Sequence, residues 1–216
     1  MKRSVSSCPL CRSEKISEYS SDKFRTYQLC HACQLIFVPR SQLISQVEEK
    51  KRYDTHNNSE ADSRYRDYLA QIVDLVVTEV KIGSRGLDFG CGSSTLMAEI
   101  FKERGFSVDS YDLFYHPQEF IWQKTYDFII LSEVIEHLRE PLSTMQSLKA
   151  RLEPGGSLFI KTALAPHSKE SFDKWFYKRD STHIQFFQLP SLESLMEQMQ
   201  MSSLKILAKD LFHLHH

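Results

Sequence analysis

What this chain has little of narrows its role first. Its 27 Lys and Arg are matched by 28 Asp and Glu, a formal net charge of -1. With no excess of either sign there is no overall attraction to nucleic acid or to an anionic membrane, and only a local basic patch can supply one. No stretch approaches the roughly 18 apolar residues of a membrane span. Met1-Lys2-Arg3 runs into Ser and Cys where a secretory leader would turn apolar. A soluble, cytoplasmic protein is therefore expected. Glycine is scarce, seven among 216 residues, and the one G-x-G, at Gly90 and Gly92, is followed by Thr95 where a dinucleotide turn needs its third glycine. Cysteine is scarce too, but four of the five fall in two C-x-x-C pairs. In an intracellular chain such pairs hold metal more often than disulfides. A hydrophobic content of 41% suffices for one substantial core with a small satellite, not for two full domains.

The satellite is legible at the start. Cys8-Pro9-Leu10-Cys11 and Cys30-His31-Ala32-Cys33 have the C-x2-C-x15–20-C-x2-C spacing of a four-thiolate zinc ribbon. Phe24-Arg25-Thr26-Tyr27-Gln28-Leu29 and Gln34-Leu35-Ile36-Phe37-Val38 alternate as short strands that end at Pro39. Four thiolates leave no open position for water, so the zinc at Cys8, Cys11, Cys30 and Cys33 is read as structural, standing in for a core this short segment cannot build. A redox C-x-x-C is the lesser reading, and His31 is expected to be exposed and unliganded. From residue 41 to 81 the periodicity turns helical, with one stripe through Leu43, Ile44 and Val47 and a longer one through Tyr65, Leu69, Ile72, Val73, Val76 and Val80. Tyr53, His56 and Asn57 crowd the break between them, and Ser59 or Asp62 can cap the second helix.

The centre of the chain is the string Leu87-Asp88-Phe89-Gly90-Cys91-Gly92-Ser93-Ser94-Thr95, a strand, a glycine turn and a hydroxyl-rich helix start. Asp88 would repel a pyrophosphate but suits a ligand that carries an ammonium group and no phosphate. Phe106-Ser107-Val108-Asp109-Ser110-Tyr111-Asp112 reads as the next strand, ending in an acid about 20 residues past the glycines, where a carboxylate grips ribose hydroxyls in βαβ folds. Tyr126-Asp127-Phe128-Ile129-Ile130-Leu131 is apolar enough to be covered on both faces. It leads into Ser132-Glu133-Val134-Ile135-Glu136-His137-Leu138, then a helix from Pro141, then the turn Glu153-Pro154-Gly155-Gly156 before Ser157-Leu158-Phe159-Ile160-Lys161-Thr162. Residues 115–125 are too short and irregular for a further strand.

Asp88-x-Gly90-x-Gly92 resembles motif I of the class I S-adenosylmethionine-dependent methyltransferases. The E-V-x-E-H-L string and the L-x-P-G-G entry to the following strand resemble the same superfamily, so the resemblance spans residues 82–162 in three ordered motifs. It implies an α/β fold, a Rossmann-like, mostly parallel sheet of six or seven strands with flanking helices, the last strand antiparallel. Only residues 201–216 remain for the final hairpin, so its last strand is expected to be short or missing. The boundaries follow: zinc ribbon at 1–40, helical connector or cap at 41–84, Rossmann-like methyltransferase domain at 85–216.

Under this resemblance S-adenosylmethionine is the cofactor, held by Asp88, Gly90, Gly92 and Asp112, with Leu113 flanking the adenine and Glu133, Tyr53 and His56 at the methionine end. Transfer from a sulfonium needs attack geometry and dryness more than covalent help, and a hydroxyl or carbon nucleophile gains from a general base or a metal. The aromatic stretch 175–187 looks like a lid. In it His183 is the candidate proton acceptor, with Asp180 or Thr182 orienting it and His137 beside the sulfonium. Packing beneath Phe186 and Phe187 is the competing role for His183. Glu133, Glu136 and His137 at i, i+3, i+4 would share one face of a helical turn, where a divalent cation is the lesser reading; the string resembles cation-supporting ones in ubiquinone-pathway O-methyltransferases and small-RNA ribose methyltransferases.

The primary reading is methyl transfer to an oxygen or carbon of a small molecule, such as a sugar or lipid-linked intermediate. The alternatives are a zinc-ribbon RNA methyltransferase, for which Lys50-Lys51-Arg52 and Arg64-x-Arg66 are the only basic hints, and a catalytically silent S-adenosylmethionine-binding module. No N-P-P-Y or D-P-P-Y follows the central strand, which counts against methylation of a base amine.

Overall fold

A computed structural model describes residues 7–55 and 63–216. His56, with Asn57, Asn58, Ser59 and Asp62, lies outside the described residues. The chain opens with β1 (Ile16–Ser21), β2 (Thr26–Cys30) and β3 (Ile36–Phe37), antiparallel neighbours in that order. Helix α1 (Gln46–Tyr53) starts at a capping box in which Ser45 and Glu48 satisfy each other's backbone N–H groups, and it has no buried residue. Helix α2 (Ser63–Val76) buries Leu69, Ile72, Val73 and Val76, the stripe expected from their spacing.

The central layer follows as β4 (Arg85–Phe89), α3 (Leu96–Glu103), β5 (Ser107–Tyr111), β6 (Tyr126–Ser132), α4 (Pro141–Lys149) and β7 (Leu152–Lys161). After α5 (Lys169–Lys174) come β8 (Gln185–Phe186), α6 (Leu189–Gln198), β9 (Ser203–Ala208) and β10 (Leu211–His215). The main sheet runs β5-β4-β6-β7-β10-β9, with the first four strands parallel and β10 antiparallel to both its neighbours. This is the mostly parallel, six-stranded α/β arrangement that the motifs imply. The strand it lacks is not the one expected. The final strand is complete, pairing Leu211–His215 with β7 over five positions. It is the stretch after β5 that fails to form an edge strand, making one bridge at His116 and a 3-10 turn at Glu119–Gln123.

Alternation along β6 divides the core. Phe128 and Ile130 meet α2 and α3 on one face, while Ile129 and Leu131 on the other join Met145, Leu148, Leu192 and Leu195. The ribbon belongs to that second cluster, since Cys8, Leu10, Leu35 and Phe37 pack into it. It is also built into a sheet with the later chain: β3 pairs with β8, Ile36 opposite Phe186, and a third cluster of Tyr27, Ile36, Phe172, Tyr177, Ile184 and Phe186 fills the angle between them. Among the described residues no helix is long and apolar enough to cross a membrane.

Candidate active site

The carboxyl ends of β4, β5 and β6 open into a cavity of about 760 Å³, the place where ligands lie in open α/β sheets. The glycine turn forms its floor. Gly90 has φ 83° and Gly92 φ 68°, a region costly for other residues. A Cβ at Gly90 would stand 2.5 Å from a methyl of Val134, whereas the space beside Gly92 is open toward the cavity. The turn is tied to the next strand by the Gly90 and Cys91 N–H groups donating to the Tyr111 carbonyl at 2.7 and 3.0 Å.

Asp112 is oriented by backbone alone. Its Oδ2 accepts from Gly92 N–H at 3.1 Å, and its Oδ1 from Phe114 and Tyr115 N–H at 2.8 and 3.1 Å. Leu113, 57% exposed, lines the cavity beside it. Asp88 is fully buried beneath the turn, and burial together with the Asp112 charge pushes its carboxyl up to about 7. A ligand ammonium in the cavity would supply the counter-charge that the fold withholds.

Beyond β6 the chain turns sharply. Glu133 has φ 54°, and Ile135–His137 form a 3-10 turn, so the three residues expected to share a helical face do not. Glu133 instead accepts from Lys161 Nζ at 3.2 Å and from the Tyr177 hydroxyl at 2.8 Å. Glu136 is completely buried, one oxygen accepting from the Thr162 hydroxyl at 3.1 Å and the other sharing the single Tyr177 proton with Glu133. Burial, with Glu133 nearby, raises its carboxyl to about 8. What sequence spacing could not show is the third partner. Residues 176–183 fold against this turn, and one ligand atom from each of Glu136, His137 and His183 lies within 4.8 Å of the others.

Both imidazoles are fixed through Nδ1, His183 on the Tyr177 carbonyl at 2.7 Å and His137 on the Thr182 carbonyl at 3.0 Å. A carbonyl only accepts, so each Nδ1 carries a proton, and in a neutral ring the lone pair resides on Nε2. Burial lowers the His183 pKa, with Asp180 opposing, so the ring is neutral near pH 7. The orienting group is therefore the Tyr177 carbonyl and not Asp180 or Thr182. Asp180 directs its carboxylate elsewhere, accepting from the Thr182 N–H and hydroxyl and from Arg52, at 2.8 Å from Nη2. Although burial works against ionisation, these bonds hold its pKa well below the usual carboxylate range.

Helix α1 crosses the mouth of the cavity. Tyr53 sets its ring edge-on to His137 at 5.4 Å and near Phe114, and its hydroxyl donates to Glu49 at 3.1 Å. Arg52 reaches Asp180, Arg139 reaches the Ile44 carbonyl and Glu49, and Asp54 accepts from Tyr115 at 2.6 Å. Tyr177 and Lys161 were not foreseen as site residues. The first was visible only as one aromatic among several, and the second only as a polar residue ending an apolar strand.

The four ribbon sulfurs converge as well. All lie within 4.8 Å of one another, with Cys8 to Cys33 at 3.7 Å and Cys11 to Cys30 at 3.4 Å, and none is in a disulfide. A zinc–sulfur distance of about 2.3 Å gives tetrahedral sulfur–sulfur edges of roughly 3.8 Å, so the donor set fits that ion. His31 is exposed and bonded to the Ser17 hydroxyl at 2.8 Å.

A family model described as a methyltransferase domain matches residues 60–203. A ubiquinone biosynthesis O-methyltransferase of Actinobacillus pleuropneumoniae serotype 7 is 29% identical over a match covering 37% of this chain and 46% of that one. Its counterpart in Histophilus somni is 35% identical over 28% of this chain and 27% of that protein. The chain thus spans about half the length, or less, of the curated relatives it matches. Among solved structures, an O-methyltransferase family protein from Burkholderia thailandensis aligns with a TM-score of 0.51 at 13% identity, covering 77% of this chain and 61% of that one, a likeness of fold.

Proposed function

The chain belongs to the methyltransferase domain family and has the class I S-adenosylmethionine-dependent fold, and from that premise we propose that it methylates a hydroxyl oxygen of a small molecule, aided by a divalent cation. The observation that carries the choice of oxygen is the convergence of buried Glu136 with His137 and His183, the two histidines lining the cavity with each Nδ1 committed to a backbone carbonyl. Two imidazoles and a buried carboxyl, backed by Glu133, suit a borderline or hard divalent ion, whose charge would favour the ionised carboxylate. Bound there, such an ion would lower the pKa of an acceptor hydroxyl and orient it.

The chain's own groups do the rest. Asp88 meets the ammonium of S-adenosylmethionine, the three N–H groups behind Asp112 hold its carboxylate ready for the ribose hydroxyls, and the open face of Gly92 admits the ligand to bare backbone. Tyr177 and Thr162 fix Glu136, while Tyr53 and α1 keep water from the methyl path. The neutral His183 ring supports a second role, direct acceptance of the substrate proton. The ribbon cysteines hold one structural zinc. The RNA reading is weakened by the ion pairs of three of its five basic residues, Lys50, Arg52 and Arg66, with Asp54, Asp180 and Glu103.

The decisive experiment screens hydroxylated metabolites with labelled S-adenosylmethionine, using zinc-loaded protein freed of other divalent ions. Turnover that appears only on adding Mg²⁺ or Mn²⁺ is expected. Full turnover without either ion would assign His183 the proton instead, and labelling of carbon or nitrogen acceptors alone would sink the hydroxyl reading.

A further inference from the structure

The carbonyls of the loop between α5 and β8 divide into two sets. Those of Lys178, Asp180 and Ser181 turn away from the cavity toward Arg25, which donates from Nη2 at 2.6 and 2.8 Å and from Nη1 at 3.2 Å. Those of Tyr177 and Thr182 turn inward onto Nδ1 of His183 and of His137. Arg25 stands on the ribbon, in the turn between β1 and β2, and does not line the cavity. Its own place is firm. Asp22 Oδ1 accepts from the N–H groups of Phe24 and Arg25 at 2.9 and 3.1 Å, Arg25 Nε donates to the Tyr27 hydroxyl at 3.1 Å, and the guanidinium lies 5.3 Å from the centre of the Tyr27 ring. Beside it the buried Lys178 ammonium pairs with Asp22 at 3.4 Å.

Building on the donor set proposed above, we infer that Arg25 is a positioning residue for the reaction. One planar fork holds three carbonyls outward, which no single lysine can reproduce. With those three peptide groups pinned, the intervening backbone cannot rotate without breaking a charge-assisted bond, so the two inward carbonyls keep their aim. They in turn hold both imidazoles as Nδ1–H tautomers with the lone pair on Nε2, as outer partners of metal-binding or proton-accepting histidines do. The ribbon's contribution to the chemistry is this grip on the loop.

The test compares zinc-loaded wild type with Arg25→Ala and Arg25→Lys. Long-range proton–nitrogen spectra of the imidazoles, taken without added divalent ion, should show Nδ1–H tautomers for His137 and His183 in the wild type only. Zinc content and S-adenosylhomocysteine affinity should be unchanged in the variants, while Mn²⁺ binds roughly tenfold or more weakly. Methylguanidine should restore the tautomers and the Mn²⁺ affinity of Arg25→Ala. Variants that keep both Nδ1–H tautomers overturn the inference, as does a wild type that lacks them. If Arg25→Ala sheds its zinc, Arg25→Lys decides by the same spectra, and loss of zinc from both marks Arg25 as a ribbon residue only, which also overturns it. A wild type with both tautomers that binds no Mn²⁺ overturns the cation reading and leaves the role of Arg25 supported.

Discussion

Two pieces of chain close over one cavity, and they are held by different kinds of force. Residues 176–186 are gripped from both sides: β8 is hydrogen-bonded to β3, Ile184 N–H donates to the Glu136 carbonyl at 2.9 Å, and Tyr177, Ile184 and Phe186 are buried. Helix α1 has no fully buried residue and is tied by the Tyr53 ring against His137 and Phe114, by a few hydrogen bonds and by ion pairs whose arginines are exposed. Exposed ion pairs contribute about 0–1 kcal/mol each, whereas breaking backbone pairing and a buried aromatic cluster costs several times that. His183 sits on the rigid piece and His137 on the turn bonded to it, where geometry must be kept. The cover is the piece that can part at small cost and admit a ligand.

The grip is broken most completely at the metal. Cys30→Ser should lose the zinc, lower the melting temperature by roughly 10 °C or more and abolish methyl transfer, because β3 can no longer hold β8. Elemental analysis and melting curves check this, and a variant that sheds zinc yet melts and turns over like wild type would show that the ribbon is a separate unit. His183→Gln acts within the rigid piece without loosening it. Turnover should fall on the order of a hundredfold while melting temperature and cofactor affinity barely move; a lower melting point with activity reduced only in step would mean a packing role instead.

How far this contrast was readable from sequence can be judged residue by residue. The glycine turn, Asp112, the strand from Tyr126 and the C-x-x-C pairs each declare themselves through local chemistry, a turn that needs glycine or a spacing that needs metal. The same holds for the α2 stripe. What stayed hidden was long-range. Nothing local in Gln185-Phe186 says that it will pair with Ile36-Phe37, since two residues carry no period. Nothing in the E-x-x-E-H string says that Glu133 takes φ 54° or that His183, from far along the chain, joins Glu136 and His137. Residues 115–125 are too irregular for a strand, and the sheet has none there, whereas the final strand is brief in sequence but ordered by its partner β7.

The floor beneath both pieces offers a control on pH. Ligand binding favours ionised Asp88, and the ligand-free carboxyl is raised to about 7. Cofactor affinity should therefore be level above that pH and fall by roughly tenfold per unit as pH drops below it. Calorimetry from pH 5.5 to 8.5 would show the slope, and Asp88→Asn should remove it; a flat wild-type profile would mean that no ligand ammonium meets Asp88. The smallest effect belongs to the cover. Arg52→Ala should shift melting by no more than about 2 °C yet speed cofactor release a few-fold, and added salt should do the same to the wild type. Equal release rates in stopped flow would show that α1 does not gate the cavity.

The four-stranded order β1-β2-β3-β8 also sets a timetable. During synthesis the ribbon emerges before the parallel sheet, with its four cysteines already together in sequence. Its edge at β3 has no neighbour until residue 185 has left the ribosome, because the fourth strand comes after the whole parallel sheet. For most of translation the nascent chain carries an open strand edge beside unburied Ile36 and Phe37, a template for pairing with the wrong chain. Closure of that edge and completion of the histidine wall are one event, so a chain stalled before β8 would lack both.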